Sequence, residues 1–381
     1  MRNIHSKLPN VSTTIFTVMS KLASEHQAIN LSQGFPNFGG DQHLINLVSN
    51  AMNNGYNQYA PMPGLLSLRE VIVEKTNTLY KSNYHPESDI TITSGATQAI
   101  FTIISAFVNT GDEVIIFKPA YDSYEPSIEL FGGTVIPIQL LAPDYSIDWK
   151  EVARKITSKT KMIIINTPHN PTGTILSKQD MFQLEILLKD TDIILLSDEV
   201  YEHIIFNGQE HQSIARFPGL AERAFITASF GKTFHTTGWK MGYCLAPKDL
   251  MAEFRKVHQF NVFCSNHPMQ QALAEYLKTP EHYLSLPDFY QEKRDLFLSL
   301  IKDSRFSYIP AAGTYFQLLE YAAITDEGDV AFAERLTKEH KIASIPVSVF
   351  NMNQQDDKVL RFCFAKTEDT LKRAAEILCS I

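Results

Sequence analysis

An α/β fold on a mostly parallel sheet, with a second and smaller α+β unit, is what this sequence predicts. Three observations carry that prediction. Between residues 89 and 230, short β-branched runs alternate with amphipathic helical patterns, as in chains that wind a parallel sheet. Beyond residue 301 the pattern changes to short strands with a few helices. A chain of 381 residues, 44% hydrophobic and 20% charged, is long enough for one large core and a lesser one.

Taken in order, DITIT (Asp89–Thr93) reads as a strand and runs into the helical ATQAIFTIISAFV. DEVIIF, KMIIIN and AFITASF are further short strand-like runs, and DIILLSD is continuously apolar before its polar end, the mark of a strand covered on both faces. A long helical stretch is expected from near Met251 through QQALAEYL, followed by a second helix in FYQEKRDLFLSLIK. Short strands around YIPAAGTYFQLLE, a helix FAERLTKEH, a strand VLRFCFA and a closing helix TLKRAAEIL make up the smaller unit. The first forty residues fit no part of the alternation and are expected to pack against that unit. The expected division is a large domain over 41–275 and a small one from 1–40 plus 276–381.

The net charge of −8 and the scattered basic residues give no stripe for a nucleic acid or an anionic membrane. MRNIHSKLPN lacks a signal-peptide pattern and no apolar run approaches a membrane span, so a cytoplasmic protein is expected. Cys244, Cys264, Cys363 and Cys379 are dispersed and read as buried thiols in a reducing compartment. Twelve histidines form no metal-binding spacing, and His203 in YEHIIF reads as structural.

Several strand ends carry chemistry. Ser94-Gly95-Ala96-Thr97 closes the first strand and opens a helix, whose free N–H groups and Thr hydroxyl suit a phosphate; alone, such a start is more often a plain N-cap. KMIIIN runs into Thr167-Pro168-His169-Asn170-Pro171-Thr172-Gly173, a fixed turn that presents Asn170 at a strand's C-terminal end, where open α/β sheets bind ligands. DIILLSDEVY delivers Ser197, Asp198 and Glu199 at the same edge, with Tyr201 just beyond. AFITASF hands over to Gly231-Lys232, and Lys240 follows closely.

An isolated lysine there would be an exposed hairpin residue. Beside two other strand ends it is a different matter, because an amine in a dehydrated site becomes a nucleophile for an aldehyde. A carboxylate keeps a heteroaromatic nitrogen protonated, and a second lysine holds a phosphate. The ligand these residues imply is pyridoxal 5′-phosphate.

NPTG (Asn170–Gly173), SDEVY (Ser197–Tyr201) and SFGKTFHTTGWKMGY (Ser229–Tyr243) together resemble the class I/II, fold-type I pyridoxal-phosphate aminotransferases. TIFTVMSKLASEHQAINLSQGFPNF, NQYAPMPGLLSLRE, IPVSVF and LRFCFAK extend the likeness, in order, over nearly the whole chain. Within that class it most resembles the bacterial methionine aminotransferases and the kynurenine aminotransferase and glutamine transaminase K group. The resemblance implies a three-layer large domain and a homodimer.

It also implies roles for individual residues. Lys232 would anchor the cofactor covalently and shuttle the substrate's Cα proton. Asp198 would pair with the ring nitrogen, Asn170 and Tyr201 with the ring hydroxyl, and Tyr121 would stack on the ring. Ala96, Thr97, Ser229 and Lys240 would hold the phosphate, joined by Tyr59 from across a two-fold interface. Arg361 would clamp the substrate carboxylate, helped by Asn170 and the backbone at Gly34. Many class members have arginine where this chain has Lys240, which gives one compact charge and no fork.

The implied reaction moves the amino group of methionine, aromatic amino acids, histidine or glutamine to a 2-oxo acid by a ping-pong route. A cysteine-S-conjugate β-lyase and a cofactor-binding regulatory protein stay open as alternatives.

Overall fold

The computed structural model describes residues 5–381; residues 1–4, part of the decapeptide read above for a targeting segment, lie outside the described residues. Helix Ile15–Glu25 leads to β1 (Ile29–Asn30). The strands β2 (Ile90–Thr93), β3 (Glu113–Lys118), β4 (Thr134–Gln139), β5 (Thr160–Asn166), β6 (Ile194–Asp198), β7 (Ala224–Ser229) and β8 (Gly242–Leu245) form one sheet, ordered β2-β8-β7-β6-β5-β3-β4. Its members from β3 to β7 pair in parallel. β8 lies antiparallel between β7 and β2, so its first residue sits at the edge where the parallel strands end.

The apolar runs of β5 and β6 are explained by cover on both faces. Ile163, Ile165 and Leu195 join one core cluster, while Met162, Ile164 and Leu196 join another, as alternation along a strand requires. Helices Ala96–Phe107 and Lys248–Asn261 close the second face with Ile100, Ile103, Met251 and Phe254. Each such side chain, fully buried, contributes about 1.5–3 kcal/mol.

The single helix expected from Met251 through QQALAEYL is two helices, Lys248–Asn261 and His267–Tyr276. Phe263 breaks the run with a left-handed backbone, φ 69°. Asn266 then caps the second helix, its side chain accepting from the Met269 N–H, and Pro268 sits in a first turn that needs no amide. The cysteines also depart from expectation. Cys244 and Cys363 are buried, but Cys264 in this break is half-buried and Cys379 at the end of the last helix is exposed.

Further along come β9 (Phe316–Glu320), β10 (Ile342–Ala343), β11 (Ile345–Pro346) and β12 (Val359–Cys363). β11, β12 and β9 make an antiparallel sheet in that order, and β10 pairs in parallel with β1. The Cys363 N–H donates to the Leu31 carbonyl at 2.8 Å, which ties the N-terminal segment to β12.

Behind the large sheet lies a buried polar network. Lys75 Nζ donates to Glu202 Oε1 at 2.7 Å and to Tyr243 Oη at 2.9 Å, Tyr80 Oη donates to Glu202 Oε2 at 2.8 Å, and His203 lies 3.1 Å from the Lys75 amine. Burial pushes the Glu202 carboxyl up, but Lys75, His203 and Tyr243 outweigh it and hold it below the usual carboxylate range. Glu202→Ala strands a buried ammonium and is expected to cost about 3–5 kcal/mol in urea unfolding. Because the native carboxyl is depressed, this stabilisation is complete above the ordinary carboxylate range and lost as pH falls toward the native value. Among the described residues no helix is long and apolar enough to cross a membrane, and no cluster of three His, Cys, Asp or Glu could hold a metal.

Candidate active site

Asn166, Asp198 and Ser229 are the last residues of β5, β6 and β7, and all three line one cavity. The Asn166 amide donates to the Asp198 carbonyl at 2.8 Å, and its oxygen accepts from the Asn170 N–H at 2.8 Å. That pair of bonds fixes the turn carrying Asn170 to the neighbouring strand. Along β6 the side chains alternate, so Asp198 faces the cavity while Ser197 and Glu199 bond each other at 2.8 Å on the far side.

Asp198 is 4% exposed and accepts from Tyr124 Oη at 2.6 Å through Oδ2. Burial raises its carboxyl to about 6, opposed by Tyr124 and the Val200 N–H. Among the described residues its Oδ1 has no partner. An orphaned, buried carboxylate oxygen is costly unless a donor meets it, and a protonated ring nitrogen is such a donor.

Lys232 opens into the same cavity. Its Nζ donates to the Gly34 carbonyl at 2.9 Å and lies 5.6 Å from the ring centres of both Tyr201 and Tyr315. Burial lowers the amine to about 8, helped by the positive charges of Arg361 and Lys240. Tyr315 Oη donates to the same Gly34 carbonyl at 2.5 Å. A side chain at Gly34 would meet the Phe316 ring at 2.8 Å, so the backbone comes this close only as glycine.

At the other end, Gly95 (φ 81°) turns β2 into the helix Ala96–Phe107 without a side-chain cap. The N–H groups of Ala96 and Thr97 thus begin a helix facing the cavity, at its positive pole. Gly242 pairs with Thr93 on one side and Ser229 on the other, so the reversed strand β8 carries Lys240 to this helix start. A Cβ on Gly95 would lie 3.7 Å from Lys240 Nζ. Tyr121 lines the cavity, with Thr97 Oγ1 3.4 Å from its hydroxyl.

Arg361 on β12 is 1% exposed. Its Nη1 donates to Asn170 Oδ1 at 2.6 Å and Nη2 to the Ser32 carbonyl at 2.9 Å, while its Nε has no partner among the described residues. The guanidinium lies 3.9 Å from the Phe316 ring centre and 5.2 Å from that of Phe16. Burial lowers it to about 10, still cationic at neutral pH.

Within one chain these positions line the cavity or, as Gly34 and Arg361 do, bond to Lys232 and Asn170 that line it, with one exception. Tyr59 is 82% exposed, packs edge-on against Phe263 at 5.4 Å and does not line the cavity. Four contributors escaped the sequence reading: Tyr124, Asn166, Tyr315 and Ser32. Asn166 was legible as the last polar residue of KMIIIN; the others reach the site only through packing. The assembled groups suit a flat, phosphorylated ligand with a cationic ring nitrogen and an electrophilic carbon near Lys232.

The family model for aminotransferase class I and II matches residues 26–378. Methionine aminotransferase of Escherichia coli (strain K12) is 50% identical over 374 residues, covering 98% of this chain and 97% of the relative. Human kynurenine–oxoglutarate transaminase 3 is 32% identical over 403 residues, 98% of this chain and 89% of its own. The solved structure of YbdL from Escherichia coli, assigned a methionine aminotransferase function, superposes with a TM-score of 0.98 at 49% identity over the full length of both chains. That of N-succinyldiaminopimelate aminotransferase from Mycobacterium tuberculosis gives 0.95 at 32% identity, over 99% of each.

Proposed function

The chain belongs to the class I and II aminotransferases, and from that premise we propose that it moves the amino group of methionine to a 2-oxo acid with pyridoxal 5′-phosphate as cofactor. The observation that carries this reading is the pairing, in one cavity, of the Lys232 amine with an Asp198 carboxylate that keeps one oxygen free. The bound cofactor supplies an electron-poor ring that takes up the electron pair left when the substrate's Cα loses its proton.

The chain's own residues do the rest. Lys232 would hold the cofactor and, as a free neutral amine, would take the proton from Cα. Asp198 keeps the ring nitrogen protonated through its free oxygen, while Tyr124 holds the other in place. Asn170 and Tyr201 would bond the ring hydroxyl, and Tyr121 would pack on the ring face. Ala96, Thr97, Ser229 and Lys240 hold the phosphate, with Tyr59 supplied by a second copy in a homodimer. Arg361 turns its fork to the substrate carboxylate, with Asn170 and the Gly34 backbone beside it.

Methionine is preferred over aspartate because the flanks of Arg361 are the apolar rings of Phe16 and Phe316. The loaded protein is expected to lose its visible absorbance with methionine and regain it with a 2-oxo acid. In a kcat/KM panel, methionine should exceed aspartate; the reverse order would overturn the substrate assignment. Pyruvate and ammonia released without an acceptor would instead mark β-lyase chemistry.

Two further results are expected. Capture of the cofactor by apoprotein requires the neutral amine, so its rate should rise about tenfold per pH unit below about 8 and flatten above. Asp198→Asn removes the charge facing the ring nitrogen, and a fall in kcat of about 10²-fold is expected in single-turnover assays.

A further inference from the structure

We propose that a cleft behind the turn carrying Asn170 is a second ligand site, for a small organic cation with an apolar body. The cleft encloses about 720 Å³, within the size range of small-molecule sites. It is separate from the cavity that holds Lys232, and no residue lines both.

Its walls have two characters. Leu318, Val359, Ile175, Ile309 and Pro310 give an apolar surface, and Ile309 is 58% exposed although it faces a cleft. Asp144, Glu320 and Asp357 add three carboxylates, and among the described residues none of them meets a lysine, arginine or histidine at ion-pair distance. Their bonds are to neutral donors: Ser307 Oγ to Glu320 at 2.8 Å, Gln355 Nε2 to Asp357 at 2.7 Å, Asn351 Nδ2 to Asp357 at 3.4 Å, and the Ser146 N–H to Asp144 at 3.5 Å. Each carboxylate therefore keeps acceptor capacity.

An independent observation points to a ligand. Tyr145 lines the cleft and is only 5% exposed, yet its hydroxyl has no hydrogen-bond partner among the described residues. Burial pushes this phenol up, and the charges of Asp357 and Glu320 push it the same way. A desolvated hydroxyl and three unpaired carboxylates in one apolar-walled cleft match an ammonium carried on a hydrocarbon.

The site backs directly on the catalytic turn. Thr172, Gly173 and Thr174 line it, while Asn170 in the same turn bonds Arg361. Val359 stands two residues before Arg361 on β12, and Leu318 pairs with Arg361 across the sheet. The turn is firmly seated, since the Gly173 carbonyl accepts from the Ala312 and Gly313 N–H groups at 2.9 Å each. The inference does not depend on which amino acid is the substrate.

The test uses cofactor-loaded protein and N,N-dimethylphenethylammonium, a tertiary amine that keeps one N–H but cannot condense with an aldehyde. Calorimetry should show one molecule bound per protomer, with the visible absorbance unchanged, and no binding of the anion phenylacetate at this position. Glu320→Gln, Asp357→Asn and Tyr145→Phe should each weaken binding about fivefold or more, while methionine turnover without the amine stays at the wild-type level. Absence of binding at millimolar concentration would overturn the proposal. So would binding that a carboxylate inhibitor of the Lys232 cavity displaces, or that all three variants leave unchanged.

Discussion

Lys232→Ala should lower amino transfer from methionine by about 10⁴-fold, measured as single-turnover bleaching of the loaded protein. The size follows from two duties resting on one group. The amine that binds the cofactor is also the one base placed by the fold at the Gly34 carbonyl, 2.9 Å away and between two tyrosine rings. Alanine removes both duties.

Folding should survive the change, since a buried amine depressed to about 8 is no asset to stability at neutral pH. An unchanged thermal midpoint with a lost rate would separate a catalytic lesion from a structural one. Small external amines should restore part of the rate in proportion to their free-base concentration. A variant that bleaches at the wild-type rate without them would remove Lys232 from its assigned role.

Arg361→Ala should raise KM for methionine by about 10²-fold to 10³-fold, with a smaller effect on kcat. A buried fork that reads a carboxylate contributes about 3–4 kcal/mol to binding, and none of that is specific to the step at Cα. Arg361→Lys should fall between the two, keeping a charge but losing the paired N–H geometry. The Arg361 variants also expose the Asn170 side chain and the Ser32 carbonyl, whose hydrogen bonds they remove. If KM stayed at the wild-type value in Arg361→Ala, the carboxylate would have to bind elsewhere.

Much of this site was legible because the strands that carry it are long, apolar and punctuated. KMIIIN, DIILLSD and AFITAS each end on a polar residue at the same edge, and a parallel sheet leaves that edge open. What the residues alone did not give were the meetings between distant segments; Gly34 and Arg361 entered only through the family resemblance. Tyr315 and Gly34 are 281 positions apart, and Arg361 and Ser32 are 329 apart. No local pattern encodes such meetings.

Tyr124 was hidden differently. It stands three residues from Tyr121 in YDSY, and only the fold decides which ring reaches Asp198. The break at Phe263 was missed because helical periodicity continues on both sides of it; a single left-handed residue interrupts a helix without disturbing the spacing of its apolar positions. The antiparallel course of β8 was equally silent in the sequence, although it determines where Lys240 ends up.

The carbonyls of Ser32 and Gly34 hold the two principal cations of the site from a segment that belongs to none of the large sheet's strands. For anyone handling this protein, that segment is therefore a fragile fuse. Shortening it into residues 29–34, or splicing another sequence through it, would leave the large sheet's own pairing untouched while unseating both charges. Such a product would still bear every side chain expected to touch the cofactor.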